Sequence, residues 1–137
     1  RRMNAHCLIE VPFSLRWRDL DAFEHVNNSS FLTFLEESRL RWFMRLDGDW
    51  NTSQFMPVVA AVHVNYRAQL GWPGDILARL YCERLGNSSL TLAHRIVGAD
   101  QSETLFCDGN VVMVWVDPPT GKSVALQAAV RSACTPR

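Results

Sequence analysis

The chain has 137 residues, 47% of them hydrophobic and 20% charged, enough to bury one core and short of what two ordinary domains require. A single domain over residues 1–137 is therefore expected. Fourteen Lys and Arg balance fourteen Asp and Glu, which lacks the basic excess of a nucleic-acid binder. No apolar run reaches the ~18 residues of a membrane span, and none follows the first residues as an export signal would. Met3 reads as the natural start.

Cys7, Cys82, Cys107 and Cys134 are scattered, none in a C-x-x-C pair, and His6, His25, His63 and His94 are equally dispersed. A zinc site needs clustered ligands. No metal is expected, and the thiols read as reduced and mostly buried in a cytoplasmic protein. Near-zero net charge leaves little repulsion to oppose self-association.

In residues 9–17 the apolar Ile9, Val11, Phe13, Leu15 and Trp17 alternate with other residues, a period of two that predicts a half-buried strand. Pro12 cannot donate to a ladder, so that strand belongs at an edge or a bulge. Residues 18–28 are polar and irregular, a loop. A helix is predicted over 30–46, with Phe31, Phe34, Leu35, Trp42 and Leu46 on its main stripe. Asn28, Ser29 or Ser30 would cap it, and Gly48 would stop it. Leu32, Leu40, Phe43 and Met44 widen the apolar arc, so the helix needs cover on more than one side. Glu37 and Arg41 are spaced for an ion pair.

The remainder reads as β-structure. Residues 62–68 alternate, 71–74 turn, 76–85 form a strand and 86–88 a hairpin turn. Alternation resumes over 90–97 and the chain turns at 99–103. The nearly continuous apolar run over 111–116 suits a strand covered on both faces. A short helix is predicted within 123–133. The order β-α-β-β-β-β is an α+β architecture, best satisfied by a curved antiparallel sheet wrapped around the long helix.

The loop before the helix carries the chemistry: Arg18-Asp19-Leu20-Asp21-Ala22-Phe23-Glu24-His25-Val26-Asn27-Asn28. A helix N-terminus offers free N–H groups and the positive end of a dipole. A carboxylate beside it could attack a carbonyl, or activate water to do so, while the N–H groups stabilise the oxyanion. Asp19 and Asp21 would share one side of an extended stretch, so spacing leaves the choice between them open. His25 could act as a base, assist substrate binding or fix the helix entry. Asn27 and Asn28 suit the ordering of the turn.

With Phe31, Phe34, Leu35-Glu36-Glu37 and Arg39 following, this segment resembles the hotdog thioesterases related to 4-hydroxybenzoyl-CoA thioesterase, which often show D-x-D-x-x-G-H-V-N-N, then aromatic residues and E-x-x-R. The strand over 62–68, Gly74-Asp75 opening the next and Val116-Asp117 closing the last extend the likeness along nearly the whole chain. The resemblance implies a single hotdog domain that hydrolyses an acyl-CoA or acyl-carrier thioester. Asp21 would be the catalytic carboxylate and His25, Asn27 and Asn28 would meet the substrate, with the backbone N–H near Asn28 polarising the carbonyl. Asp19 would order the loop through Arg18 or Arg39. No cofactor is implied beyond the coenzyme A of the substrate, whose phosphates could meet Arg67, Arg79, Arg84, Arg95, Arg131 or Lys122. Relatives of this kind pair sheets edge to edge, so a homodimer or homotetramer is expected, its acyl pocket shared by two chains.

One position departs from the pattern: Glu24 stands where such proteins commonly carry glycine. Glycine permits unusual backbone angles and close ligand approach, and a glutamate adds bulk and charge. Two alternatives stay open: a hydratase or dehydratase on the same fold using His25 with Asp21, and a non-enzymatic acyl-thioester binder.

Overall fold

The computed structural model describes residues 6–135; the expected start at Met3 lies outside them. Strand β1 (Cys7–Ser14) leads through a single 3-10 turn (Trp17–Asp19) and a loop to helix α1 (Asn28–Phe43). Strands β2 (Met56–Tyr66), β3 (Asp75–Leu85), β4 (Ser89–Gly98) and β5 (Leu105–Val116) follow, and a short helix α2 (Ala128–Cys134) closes the fold. The five strands form one antiparallel sheet in the order β1-β3-β4-β5-β2. This is the hotdog arrangement expected of the sequence.

Alternation in the strands fixes which face meets α1. Ile9 and Val11 of β1, Ile76, Ala78 and Leu80 of β3, and Leu90, Leu92 and Ile96 of β4 are all buried, as are Val111, Met113 and Trp115 of β5. They meet Phe31, Phe34, Leu35, Trp42 and Phe43 of the helix in two apolar clusters. The first gathers around Phe43, which stacks on Trp50 at 4.6 Å and meets Trp115 edge-on at 5.9 Å. The second gathers around Phe34, which lies 5.0 Å from Phe13. His94, Ser38 and Arg39 are also buried, although polar or charged.

Several boundaries differ from expectation. The first strand ends at Ser14, because Asp19 accepts the Arg16 N–H at 2.8 Å and turns the chain there. Pro12 lies on an edge strand, as its missing donor requires. The helix starts two residues early, because Asn27 is its cap: the side chain accepts Ser29 N–H at 2.8 Å. Strand β2 begins at Met56, well before the alternation at 62–68, and β5 begins at Leu105. The apolar run at 111–116 is not covered on both faces: Val111, Met113 and Trp115 are buried and Val112, Val114 and Val116 half-buried. Among the described residues the sheet is covered by helix on one face only, so the other face of β5 meets no layer there. The four cysteines are free; Cys107 and Cys134 are buried, Cys82 half-buried and Cys7 exposed.

Candidate active site

The loop between the 3-10 turn and α1 folds on its own hydrogen bonds. Asp21 N–H donates to His25 O at 3.0 Å, Glu24 N–H to Asp21 O at 3.0 Å, and Leu20 pairs with Val26. The Asp21 side chain accepts Phe23 N–H at 2.9 Å, an Asx turn that aims the carboxylate. Glu24 carries φ of 62°, the left-handed region where glycine is the ordinary occupant. The loop thus keeps the shape a glycine would allow while carrying a glutamate.

Two backbone bonds anchor this loop to the fold. Val26 N–H donates to Leu70 O at 2.7 Å and Asn27 N–H to Asp19 O at 2.9 Å. Asp19 is itself buried, and Arg16 holds it through Nη2 at 2.9 Å. Burial pushes the Asp19 carboxyl up, but the Arg16 hydrogen bonds and charge outweigh that and hold it below the usual carboxylate range. The loop-ordering role expected of Asp19 is what the geometry gives it, with Arg16 as its partner in place of Arg18 or Arg39.

A cleft of about 450 Å³ opens where this loop, the start of α1 and the end of β2 meet. Asp21, His25, Asn27 and Asn28 all line it, together with Phe31, Tyr66 and Gln69. Asp19 does not. The 3-10 turn breaks the extended stretch that would have set both carboxylates on one side. Across the cleft, Tyr66 donates its hydroxyl to Asn28 O at 3.1 Å and packs edge-on against Phe31 at 5.4 Å. Asn27 spends its side-chain oxygen on Ser29, from N and from Oγ, both at 2.8 Å. The Asn28 N–H, first of the helix, makes no hydrogen bond among the described residues. It is a free donor at the positive end of the α1 dipole.

Tyr66, Phe31, Phe23 and Gln69 are cleft residues that the sequence pattern did not single out. Phe31 sits on the apolar stripe and Tyr66 in the β2 alternation, where core packing and site lining carry the same signal. None of the basic residues proposed for the coenzyme A phosphates lines the cleft. Arg67 pairs with Asp108, Arg79 bridges Glu10 and Glu103, and Arg131 donates to the Gly86 and Asn87 carbonyls. Glu37 is held by Arg41 at 2.7 Å, as its spacing suggested. Among the described residues no group of three His, Cys, Asp or Glu side chains could hold a metal ion, and no helix is long and apolar enough to cross a membrane.

The hotdog sheet thus sets a carboxylate-bearing loop at the N-terminus of its long helix. A model of the thioesterase-like superfamily matches residues 15–134, and the chain belongs to that superfamily. Among solved structures, a candidate acyl-CoA thioesterase from Xanthomonas campestris shares 50% sequence identity with a TM-score of 0.75, covering 86% of this chain and 100% of its own. A thioesterase from Thermus thermophilus, solved with coenzyme A and Zn, shares 30% identity with a TM-score of 0.79. That match covers 96% of this chain and 94% of the Thermus one. The long-chain acyl-CoA thioesterase FadM of Escherichia coli is 26% identical over 125 residues, 90% of this chain and 94% of FadM.

Proposed function

We propose that this protein is an acyl-CoA thioesterase, hydrolysing an acyl-CoA to the free acid and coenzyme A, with Asp21 as nucleophile or general base. One observation carries the reading: Asp21 and Asn28, whose backbone N–H is unengaged among the described residues, line the same cleft. A thioester carbonyl lying between them would meet an attacking carboxylate, or a water it activates, on one side and an oxyanion donor on the other. Asn27 shapes the donor by capping α1, and His25 and Tyr66 would bound the substrate. FadM and the coenzyme A complex of the Thermus relative support an acyl-CoA substrate. The chemistry needs no metal or redox cofactor, because attack, oxyanion stabilisation and proton transfer are all within reach of these groups. An acyl-carrier thioester would present the same reacting bond.

The left-handed backbone at Glu24 speaks against a purely binding role. The glutamate occupies the conformation that glycine would supply, so the loop geometry that aims Asp21 survives the replacement. We place the protein in the cytoplasm as a homodimer or homotetramer; its four free cysteines and the unpaired outer edge of β2 support this.

A free-thiol assay over a panel of acyl-CoA thioesters tests the proposal, comparing the native protein with Asp21→Asn. Hydrolysis of at least one member is expected, reduced at least ~100-fold in the variant. Equal turnover by both proteins would remove Asp21 from the chemistry. Hydration of an enoyl-CoA, lost in His25→Ala, would replace the reading by that of a hydratase.

A further inference from the structure

Tyr66 ends β2 and reaches across the cleft to the start of α1. Its ring packs edge-on against Phe31 at 5.4 Å, and its hydroxyl donates to Asn28 O at 3.1 Å. That acceptor is already served. Asn28 opens α1, so its carbonyl takes the N–H of Leu32 in the helical ladder. A carbonyl oxygen has two lone pairs, and the Tyr66 hydroxyl occupies the second. Withdrawing the hydroxyl leaves no acceptor without a partner, so this bond costs little to break.

The hydroxyl therefore rests beside the residue whose N–H is the unengaged donor of the cleft, and Asp21 lines that same cleft. A phenol O–H turns about its C–O bond without moving the ring. Its proton can pass from Asn28 O to a substrate oxygen with no rearrangement of the site. Partial burial pushes the Tyr66 pKa up, with the neighbouring Cys107 adding to the shift, so the hydroxyl keeps its proton. One backbone N–H alone is a sparse oxyanion site, since acyl-transfer sites ordinarily aim two donors at the developing charge. Tyr66 is the neutral O–H donor placed to be the second.

We infer that Tyr66 is a catalytic residue: its hydroxyl leaves Asn28 O and joins the Asn28 N–H as second donor to the carbonyl oxygen of the bound thioester. The inference rests on the thioesterase reading above and adds a residue to it. Attack forms a bond to the carbonyl carbon and moves the C=O π pair onto oxygen, where the two donors meet the charge as it develops. Collapse returns that pair to carbon, the C–S bond breaks with its electrons on sulfur, and coenzyme A leaves as the thiolate. Where water attacks, Asp21 takes its proton; where Asp21 attacks, water hydrolyses the resulting anhydride in a second step. Tyr66 holds its own proton throughout, so it acts as a donor and not as an acid.

The test compares the native protein with Tyr66→Phe, which keeps the ring contact with Phe31 and loses only the hydroxyl. The side chain is 43% exposed, so the variant folds, and urea unfolding checks this. Kinetics use the acyl-CoA that the native protein hydrolyses fastest. Binding uses two unreactive analogues of it: a ketone with a methylene in place of sulfur, and a thioether without the carbonyl oxygen. In Tyr66→Phe, kcat is expected to fall at least ~10-fold with KM within about twofold of native. The ketone should bind more weakly, the thioether equally well, and the urea midpoint should stay at the native value because Asn28 O keeps its Leu32 donor. A smaller fall in kcat, in a protein that Asp21→Asn inactivates, overturns the role of Tyr66 and leaves the thioesterase reading standing. Equal weakening of both analogues, or a lowered urea midpoint, assigns the hydroxyl to fixing β2 on α1 and overturns the donor role. A native protein that hydrolyses no acyl-CoA overturns both readings.

Discussion

At Glu24 the left-handed backbone and a negative charge coincide, and two variants separate them. Left-handed φ costs an ordinary residue roughly 1–2 kcal/mol, while glycine carries an entropic cost of its own on folding, roughly 0.5–1 kcal/mol. Glu24→Gly is therefore expected to stabilise the fold by no more than ~1 kcal/mol, read from urea unfolding; strong destabilisation would mean the glutamate side chain holds the loop. Glu24→Gln removes charge and keeps shape. Coenzyme A is polyanionic, so this variant is expected to lower KM at low salt, with the gap closing as salt screens it. A KM difference that ignores salt would point away from electrostatics. The resemblance to the hotdog thioesterases suggested Asp21, His25, Asn27 and Asn28, and it favoured Asp21 over Asp19. What spacing could not do was separate Asp21 from Asp19. The 3-10 turn and the Arg16 contact keep Asp19 out of the cleft, and both depend on local backbone shape that the period of side chains does not report.

Helix α1 is both the core of the fold and the wall of the site, so its two ends fail differently. Its first turn is held by Asn27, whose removal in Asn27→Ala is expected to cost about 1 kcal/mol. The same change loosens the Asn28 N–H donor, so kcat should fall more than stability alone explains. Unchanged kcat in a protein destabilised by that amount would show that the helix start is not part of the oxyanion site. Its last turn is held by packing: Phe43→Ala empties a fully enclosed space between Trp50 and Trp115 and is expected to cost about 3–5 kcal/mol. A thermal melt near native would contradict that. The apolar arc of α1 predicted cover on more than one side, and this is where the single chain and the pattern part. Phe43 is buried, but Leu32, Leu40 and Met44 are exposed, because the sheet curls over one side of the helix only.

Across the whole molecule, the core holds a few buried polar side chains, His94 among them. His94 donates from Nε2 to His63 O at 3.0 Å, and its buried Nδ1 has no partner among the described residues. Gly109 runs beside it with φ of 140°; a Cβ there would overlap the His63 carbonyl and reach 3.0 Å from His94 Nε2. Gly109→Ala should accordingly destabilise the sheet. Burial lowers the His94 pKa to about 4, with the nearby Arg39 charge adding to it and the His63 carbonyl opposing. Its folded pKa lies below the unfolded value, so between pH ~6.5 and ~4 only the unfolded chain takes up the proton. Stability is whole above that window and falls as pH drops through it, by about 3 kcal/mol from this group. Urea unfolding from pH 4 to 7 checks this: His94→Gln should flatten the slope by close to one proton, and an unchanged slope would assign the acid sensitivity elsewhere.

By itself the sequence determined the class of fold, the one long helix, the antiparallel hairpins and the loop in which the chemistry sits. Those follow from side-chain periodicity, turn residues and a motif read within eleven consecutive positions. Only the tertiary structure decided which carboxylate enters the cleft, that Tyr66 and Phe31 line it, that the middle of β2 is exposed, and that Arg39 is buried with no hydrogen bond or ion pair among the described residues. Each of these depends on contacts between segments far apart in the chain. Strand β2 is the plainest case. Its residues are as apolar as those of β4, but its place at the edge of the sheet, set by how five strands pair, leaves Val59 and Val62 exposed.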